Sequence, residues 1–191
     1  MATDEGLIRN CLKGKPEALG RLYDLYAPVL FSLCLRYVPQ RAEAEDLLQE
    51  AFIRIFENLK RFNPRDGGSF EGWMKRIAVN HALNYIRTRN RHRIFVESDQ
   101  PNNFPDVVEE DYNPDDFLAN LTSDTIHQLI AELPEGYRTV FNLYVIEEYS
   151  HKEIAELIGC SENTSKTQLL KARNLLKKKI SELQLNYRYE R

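Results

Sequence analysis

The sequence predicts an all-α protein made of two small helical domains joined by an acidic tether. Three observations carry that prediction. Apolar residues recur at helical spacing along both ends of the chain, and no segment is dominated by the period-two alternation of a strand. Between them, 94–122 is rich in Pro, Asn, Asp and Glu (ESDQPNNFPDVVEEDYNPDD) and has no durable apolar periodicity. Charge is also segregated. From Lys75 to Arg93 every formal charge is positive, from Ile94 to Glu135 every one is negative, and from Asn163 to Lys179 the sign is positive again. The predicted domains are therefore 1–93 and 123–191, with 94–122 between them.

In chain order, Glu17 to Val38 carries Leu19, Leu22, Tyr23, Tyr26, Leu30, Leu33 and Cys34 on one side, entered by Pro16 and left at Pro39. Pro28 lies inside this pattern and is expected to kink or break it. A second helix is expected from about Arg41 to Leu59, with Leu47, Leu48, Ala51, Phe52, Ile55 and Phe56 as its apolar stripe and Asp46, Gln49, Glu50 and Arg54 opposite. After a loop rich in Asn, Pro and Gly, Ser69 can cap a third helix reaching about Arg91. Its apolar members, including Trp73, Met74, Ile77, Ala78, Ala82, Tyr85 and Ile86, are too many for one narrow stripe, so it should be central in its bundle. Arg76, Asn80, Leu83 and Arg87 succeed one another at helical spacing, with Asn84 one step round. Past the tether, helical pattern resumes near Ser123, and Val140, Phe141, Leu143, Tyr144 and Ile146 are expected to pack against the helices C-terminal to them.

The stretch SHKEIAELIGCSENTSKTQLLKARNLLKKK, from Ser150 to Lys179, has the pattern of two short helices across a tight turn. Ser150 and Glu153 have the spacing of a reciprocal capping box. Gly159 suits the left-handed turn that ends a helix, and Ser161 can cap the next one. The second helix puts Leu169, Ala172, Leu176 and Ile180 on one face and Lys166, Thr167, Lys171 and Arg173 off it. Such a pair, with a polar and basic second member, describes a DNA-reading helix-turn-helix.

Composition excludes several classes. Hydrophobic content of 42% with 29% charged residues is ordinary for a soluble globular chain. No apolar run suggests a membrane span and the N-terminus has no signal-peptide pattern, so cytoplasmic location is expected. Cys11, Cys34 and Cys160 and the four histidines lack metal-ligand spacing, and Cys34 and Cys160 read as small packed residues. No triad, P-loop or zinc motif appears, so neither enzyme activity nor a cofactor is expected. The net charge of −3 looks unsuited to DNA, but the two basic helices make the distribution more informative than the sum. In the Ser69 helix, aromatic, amide and cationic groups interleave as single-strand recognition requires. The carboxylates Asp46, Glu50 and Glu57 on one face suit a partner's Arg or Lys.

Three blocks in order, EDLLQEAFIRIFENL, FEGWMKRIAVNHALNYIR and LPEGYRTVFNLYVIEEYSHKEIAELIGCSENTSKTQLLKAR, resemble the extracytoplasmic-function sigma factors of bacteria. The resemblance covers most of Leu7 to Ile180 and lapses in the tether. It implies two helical domains, regions two and four, of a non-enzymatic subunit that directs core RNA polymerase to particular promoters. It implies that Asp46, Gln49, Glu50 and Phe52 meet the polymerase clamp helices. Lys75, Arg76, Asn80, Asn84 and Arg87, with the 63–69 loop, would capture and melt the −10 element. Ser161, Thr164, Lys166, Thr167, Gln168, Lys171 and Arg173 would contact the −35 duplex while the domain also touches the polymerase flap. The acidic tether would thread the basic RNA-exit path, and an anti-sigma protein is a possible further partner. Three positions depart from the family pattern: Asn163, Ser165 and Gln168. Ser165 stands on the buried face, where it is expected to bond back to its own helix or sit partly wet. Gln168 stands where relatives carry a cation. The rival reading is a stand-alone helix-turn-helix regulator, which would bind duplex DNA tightly without polymerase.

Overall fold

A computed structural model describes residues 2–63, 68–89 and 123–189. The expected tether, the 64–67 tip of the loop before Ser69 and the Arg91 end of the third helix lie outside them. Among the described residues there is helix and turn but no strand. The chain divides into two compact units, Met1–Ile86 and Arg87–Arg191.

The N-terminal unit contains α1 (Ala2–Leu12), α2 (Pro16–Tyr37), α3 (Arg41–Asn58), a 3₁₀ turn at Leu59–Arg61, and α4 (Phe70–Arg89). Pro16 starts α2, where its missing N–H costs nothing. The helix ends at Val38, whose extended backbone is the conformation preferred before a proline. Pro28 does not break α2. It lies on the exposed side, as does Asp24, whose carbonyl loses its helical donor to the proline, while Leu22, Tyr26, Leu30, Leu33 and Tyr37 stay buried opposite. By length and composition α2 would also pass as a membrane span, contrary to expectation. Its apolar face is instead the packing surface against α3 and α4, with Leu22, Leu30 and Leu33 at 0% exposure.

α3 buries Ala44, Leu47, Leu48, Ala51, Phe52 and Ile55. The Phe52 ring packs against Tyr23 at 4.5 Å and Phe56 at 5.7 Å between centroids. α4 is buried over a wide arc (Phe70, Met74, Ala78, Val79, His81, Ala82, Leu83, Ile86), as its crowded pattern predicts. Leu83, expected in the polar row, is part of this core. Cys34 is buried among these residues and its thiol is pushed up to about 12 by desolvation, which makes it an inert packing group.

The C-terminal unit contains α5 (Ser123–Ala131), α6 (Glu135–Phe141), a π-helical turn at Asn142–Ile146, α7 (His151–Ile158) and α8 (Glu162–Tyr189). Leu129, Ile130, Leu133, Val140, Leu143, Ile154, Ile158, Leu169, Ala172 and Ile180 form its core. The buried Arg138 donates to the carbonyls of Ala131 (3.0 Å) and Leu133 (2.8 Å), satisfying the end of α5 from inside the fold. Tyr144 packs against the next helix as expected, its ring stacked on His151 at 4.4 Å, while one part of it stays at the surface; Ile146, expected to be packed, is exposed instead. The run of buried side chains in the π turn ends at Leu143.

Candidate nucleic-acid interface

α4 presents Arg76, Asn80 and Asn84, and Arg87 in its last turn just past the boundary of the first unit, as an exposed strip along the side opposite its core. The helix begins where predicted: Ser69 Oγ accepts the Gly72 N–H at 3.0 Å. Rigid placement comes from the far side. Tyr85 donates to Glu43 Oε2 on α3 at 3.0 Å, and Phe70 packs on Tyr26 of α2. Phe62, Phe70 and Trp73 form an aromatic cluster, with Trp73 stacked on Phe70 (5.6 Å, 19°) and half-exposed. Trp73 is thus anchored in packing, with one part at the surface. Arg76 lies over Gly68: a Cβ there would come within 2.9 Å of its Nη2, so glycine leaves room for the guanidinium beside the cap. Lys75 sits one step off the strip and pairs with Glu71 at 2.7 Å.

α3 offers a second surface. Asp46, Gln49, Glu50 and Glu57 are exposed, as the polar stripe predicts, and Glu50 Oε2 lies 2.9 Å from His81 Nε2 on α4. Burial and then Arg54 hold His81 below the usual imidazole range against the opposing pull of Glu50, so a neutral ring faces the carboxylate at neutral pH. Phe52 does not belong to this surface. At 2% exposure it is core and cannot meet a partner directly. Ile53 takes that place: it is 56% exposed and lies seven, four and three residues beyond Asp46, Gln49 and Glu50, in phase with the acids. The sequence signal for it is an apolar residue in the phase of the polar stripe.

In the C-terminal unit the helix-turn-helix is formed as its sequence predicts. Ser150 and Glu153 make the capping box, with Ser150 N–H donating to Glu153 Oε2 at 2.8 Å and Glu153 N–H to Ser150 Oγ at 3.3 Å. Gly159 has φ 74°, a left-handed turn that a side chain would strain. Ser161 Oγ accepts the Thr164 N–H at 3.0 Å and contacts its hydroxyl at 2.9 Å, so Ser161 and Thr164 are engaged in the start of α8. Beyond them Asn163, Lys166, Thr167 and Leu170 are exposed on one side with Lys171 half-buried beside them. Leu170, at 59% exposure, shares this exposed side and is not among the expected readers.

Gln168, expected to read DNA, does not face outward. It is 1% exposed, inside the domain, because its phase matches Ser165 and Ala172 rather than Lys166 and Thr167. Ser165 is fully buried and neither wet nor bonded to its own helix: its Oγ lies 2.8 Å from Nδ1 of His151. Arg173 is exposed with its guanidinium over the Tyr144 ring at 5.9 Å.

Similarity to known proteins agrees with both domains. Residues 22–92 match Sigma-70 region 2, and residues 123–176 match Sigma-70, region 4. The chain is 32% identical to the ECF RNA polymerase sigma factor SigW of Bacillus subtilis over 92% of this chain and 96% of that one. It is 31% identical to the ECF RNA polymerase sigma-E factor of Escherichia coli K12 over 95% and 96%. Among solved structures, the sigma factor RpoE in complex with the anti-sigma factor NepR from Bartonella quintana is similar at a TM-score of 0.49, with 20% identity over 83% of this chain and 94% of that one. A region 2 helical domain, a region 4 helix-turn-helix and full-length similarity at this level establish that the chain belongs to the extracytoplasmic-function sigma factors of bacterial RNA polymerase.

Proposed function

We propose that this sigma subunit, working in the cytoplasm, divides promoter recognition among three surfaces. Asp46, Gln49, Glu50 and Ile53 on α3 dock on core polymerase, combining carboxylates for Arg or Lys with one apolar contact. Arg76, Asn80, Asn84 and Arg87 on α4 capture the non-paired −10 strand, with Lys75 at the edge. Lys166, Thr167, Leu170 and Lys171 on α8 read the −35 duplex, while Ser161 and Thr164 hold the start of that helix. Arg173 lies at the border of the reading strip.

The observation that carries this division is the α4 strip: cations and amides in one row on a helix whose opposite arc is the core of its domain. Strand opening needs no hydrolysis when extruded bases are held well enough. Unstacking costs a few kcal/mol, and stacking or pocket contacts of about 1–3 kcal/mol per base offset it. Such contacts discriminate only if the groups making them do not move with the base, a condition met by a helix anchored through its buried arc.

Run-off transcription with purified core polymerase and a promoter selected by the holoenzyme tests the reading. Arg76→Ala with Asn80→Ala should impair strand opening, monitored by permanganate reactivity, far more than core binding. Absence of a stable complex with core would overturn it. The stand-alone regulator is the rival, and a gel shift separates the two: the sigma reading requires core polymerase for tight promoter binding.

A further inference from the structure

Four side chains from three elements of the C-terminal unit form one continuous chain of contacts that the surfaces above do not use. Ser165 on α8 is at 0% exposure and its Oγ lies 2.8 Å from His151 Nδ1, at the first position of α7. The His151 ring stacks on Tyr144 of the π turn, with centroids 4.4 Å apart and planes inclined by 22°. Arg173 of α8 returns to the same Tyr144 ring at 5.9 Å. Ser165 and Arg173 are eight residues apart, two turns and a little more, or about 12 Å of helix. α8 is therefore held at two points along its length by a single His–Tyr stack.

Lys166 and Thr167 come directly after Ser165, and Lys171 and Leu170 lie between the two points. Apolar contacts in this core, such as those of Leu143, Ile154, Leu169 and Ala172, attract without a preferred angle. A hydrogen bond between two short side chains has one, because its strength falls steeply with distance and angle. The serine hydroxyl has no access to water, so losing His151 as partner leaves a buried polar group unpaired.

We propose that His151 and Ser165 are positioning residues for −35 recognition: their hydrogen bond, with Tyr144 as backstop, sets the roll and pitch of α8 in the major groove. The inference rests on the reading of α8 as the −35 helix and goes beyond it, since neither residue touches DNA. A rolled α8 keeps its charge and much of its phosphate affinity but misaligns the side chains that meet base edges, so selectivity suffers more than binding.

The test uses the full chain in holoenzyme. Selection from a randomised promoter library supplies the preferred −35 sequence, and the readout is the ratio of affinities for that promoter and one with the −35 scrambled. A variant that is merely less stable lowers both affinities by its folded fraction, which cancels in the ratio. Ser165→Ala and His151→Phe, the latter keeping the ring on Tyr144, should each lower the ratio about tenfold. The double variant should fall no further, because both singles break one contact. His151→Asn, which retains a hydrogen-bonding atom near the Nδ1 position but not the ring on Tyr144, should recover part of the ratio. Core affinity should not change.

Thr167→Ala distinguishes the levels of failure. If selection yields a preferred −35 sequence and Thr167→Ala lowers the ratio while Ser165→Ala and His151→Phe do not, the positioning role is wrong and the −35 reading stands. Additive losses in the double variant, failure of His151→Asn to recover any of the ratio, or an equal loss of core affinity also overturn the positioning role. If no −35 preference emerges, or Thr167→Ala leaves the ratio unchanged, the reading of α8 fails and takes the positioning role with it.

Discussion

Replacing Gln168 with leucine should make the protein more stable without blunting −35 selectivity, the opposite of what a DNA-reading glutamine would give. Gln168 is 1% exposed and its Oε1 has no hydrogen-bond partner among the described residues. An unpaired buried acceptor costs about 1–3 kcal/mol. Ordering a glutamine side chain also costs up to about 1 kcal/mol more than ordering a leucine. Against these gains, fitting a branched side chain of similar volume can cost up to about 1.5 kcal/mol in strain. The balance is a stabilisation of about 1 kcal/mol, which for a helical unit of this size raises its melting temperature by about 4–8 °C. The chain supplies its own control, since its single tryptophan, Trp73, lies in the N-terminal unit. Tryptophan fluorescence monitors that unit, whereas calorimetry monitors both. Gln168→Leu should move the calorimetric transition of the C-terminal unit and leave the fluorescence transition in place. A destabilisation of about 1 kcal/mol or more would show that Oε1 has a partner that matters. Loss of −35 selectivity would show that Gln168 reaches DNA after all. Either result would refute the reasoning.

The packing sets three further outcomes. Phe52→Ala should cost about 3–5 kcal/mol by urea denaturation, as for a core aromatic, while Ile53→Ala should weaken core polymerase binding with little change in stability; the reverse pattern would restore Phe52 to the docking surface. Glu148 holds φ 60° in the turn before α7, so Glu148→Gly should stabilise by about 0.5 kcal/mol, checked by thermal melting. His81 and His151 both have folded pKa values below the ordinary imidazole value of about 6.5, through desolvation first and then nearby cations (Arg54 for His81, Lys166 for His151). The unfolded chain therefore takes up protons first as pH falls. Stability should be flat above that value and decline as pH drops from it toward the lower folded pKa values, and His81→Leu should weaken the decline in urea titrations across about pH 7 to 5.

Much of the fold is legible in the sequence because its signals are local. The capping box of Ser150 and Glu153, the left-handed Gly159, the Ser69 cap and Pro16 at a helix start each depend on residues within four positions of one another. The three motif blocks are enough to name the family. Pro28 departs from expectation because a local rule meets a long-range one: it sits on the exposed side, and the buried face of α2 holds the helix together across it.

The sequence by itself determined that the chain is helical, where α2, α3, α4, α7 and α8 begin, and that basic helices flank an acidic segment; α1 and the break between α5 and α6 were not singled out. Tertiary structure decided the residues at the margins of each stripe. Phe52 and Leu83 turn inward, Ile53 and Leu170 outward, and Gln168 sits in the core rather than on the exposed strip of α8. Successive helix residues differ by about 100° in direction, so a periodic pattern locates the centre of a buried face well and its edges poorly. Whether an edge residue is covered depends on the neighbouring helix and its crossing angle, which no local spacing encodes. The pairing of His151 with Ser165 belongs to the same class: fourteen residues apart in sequence, they meet only because α8 turns back across the start of α7.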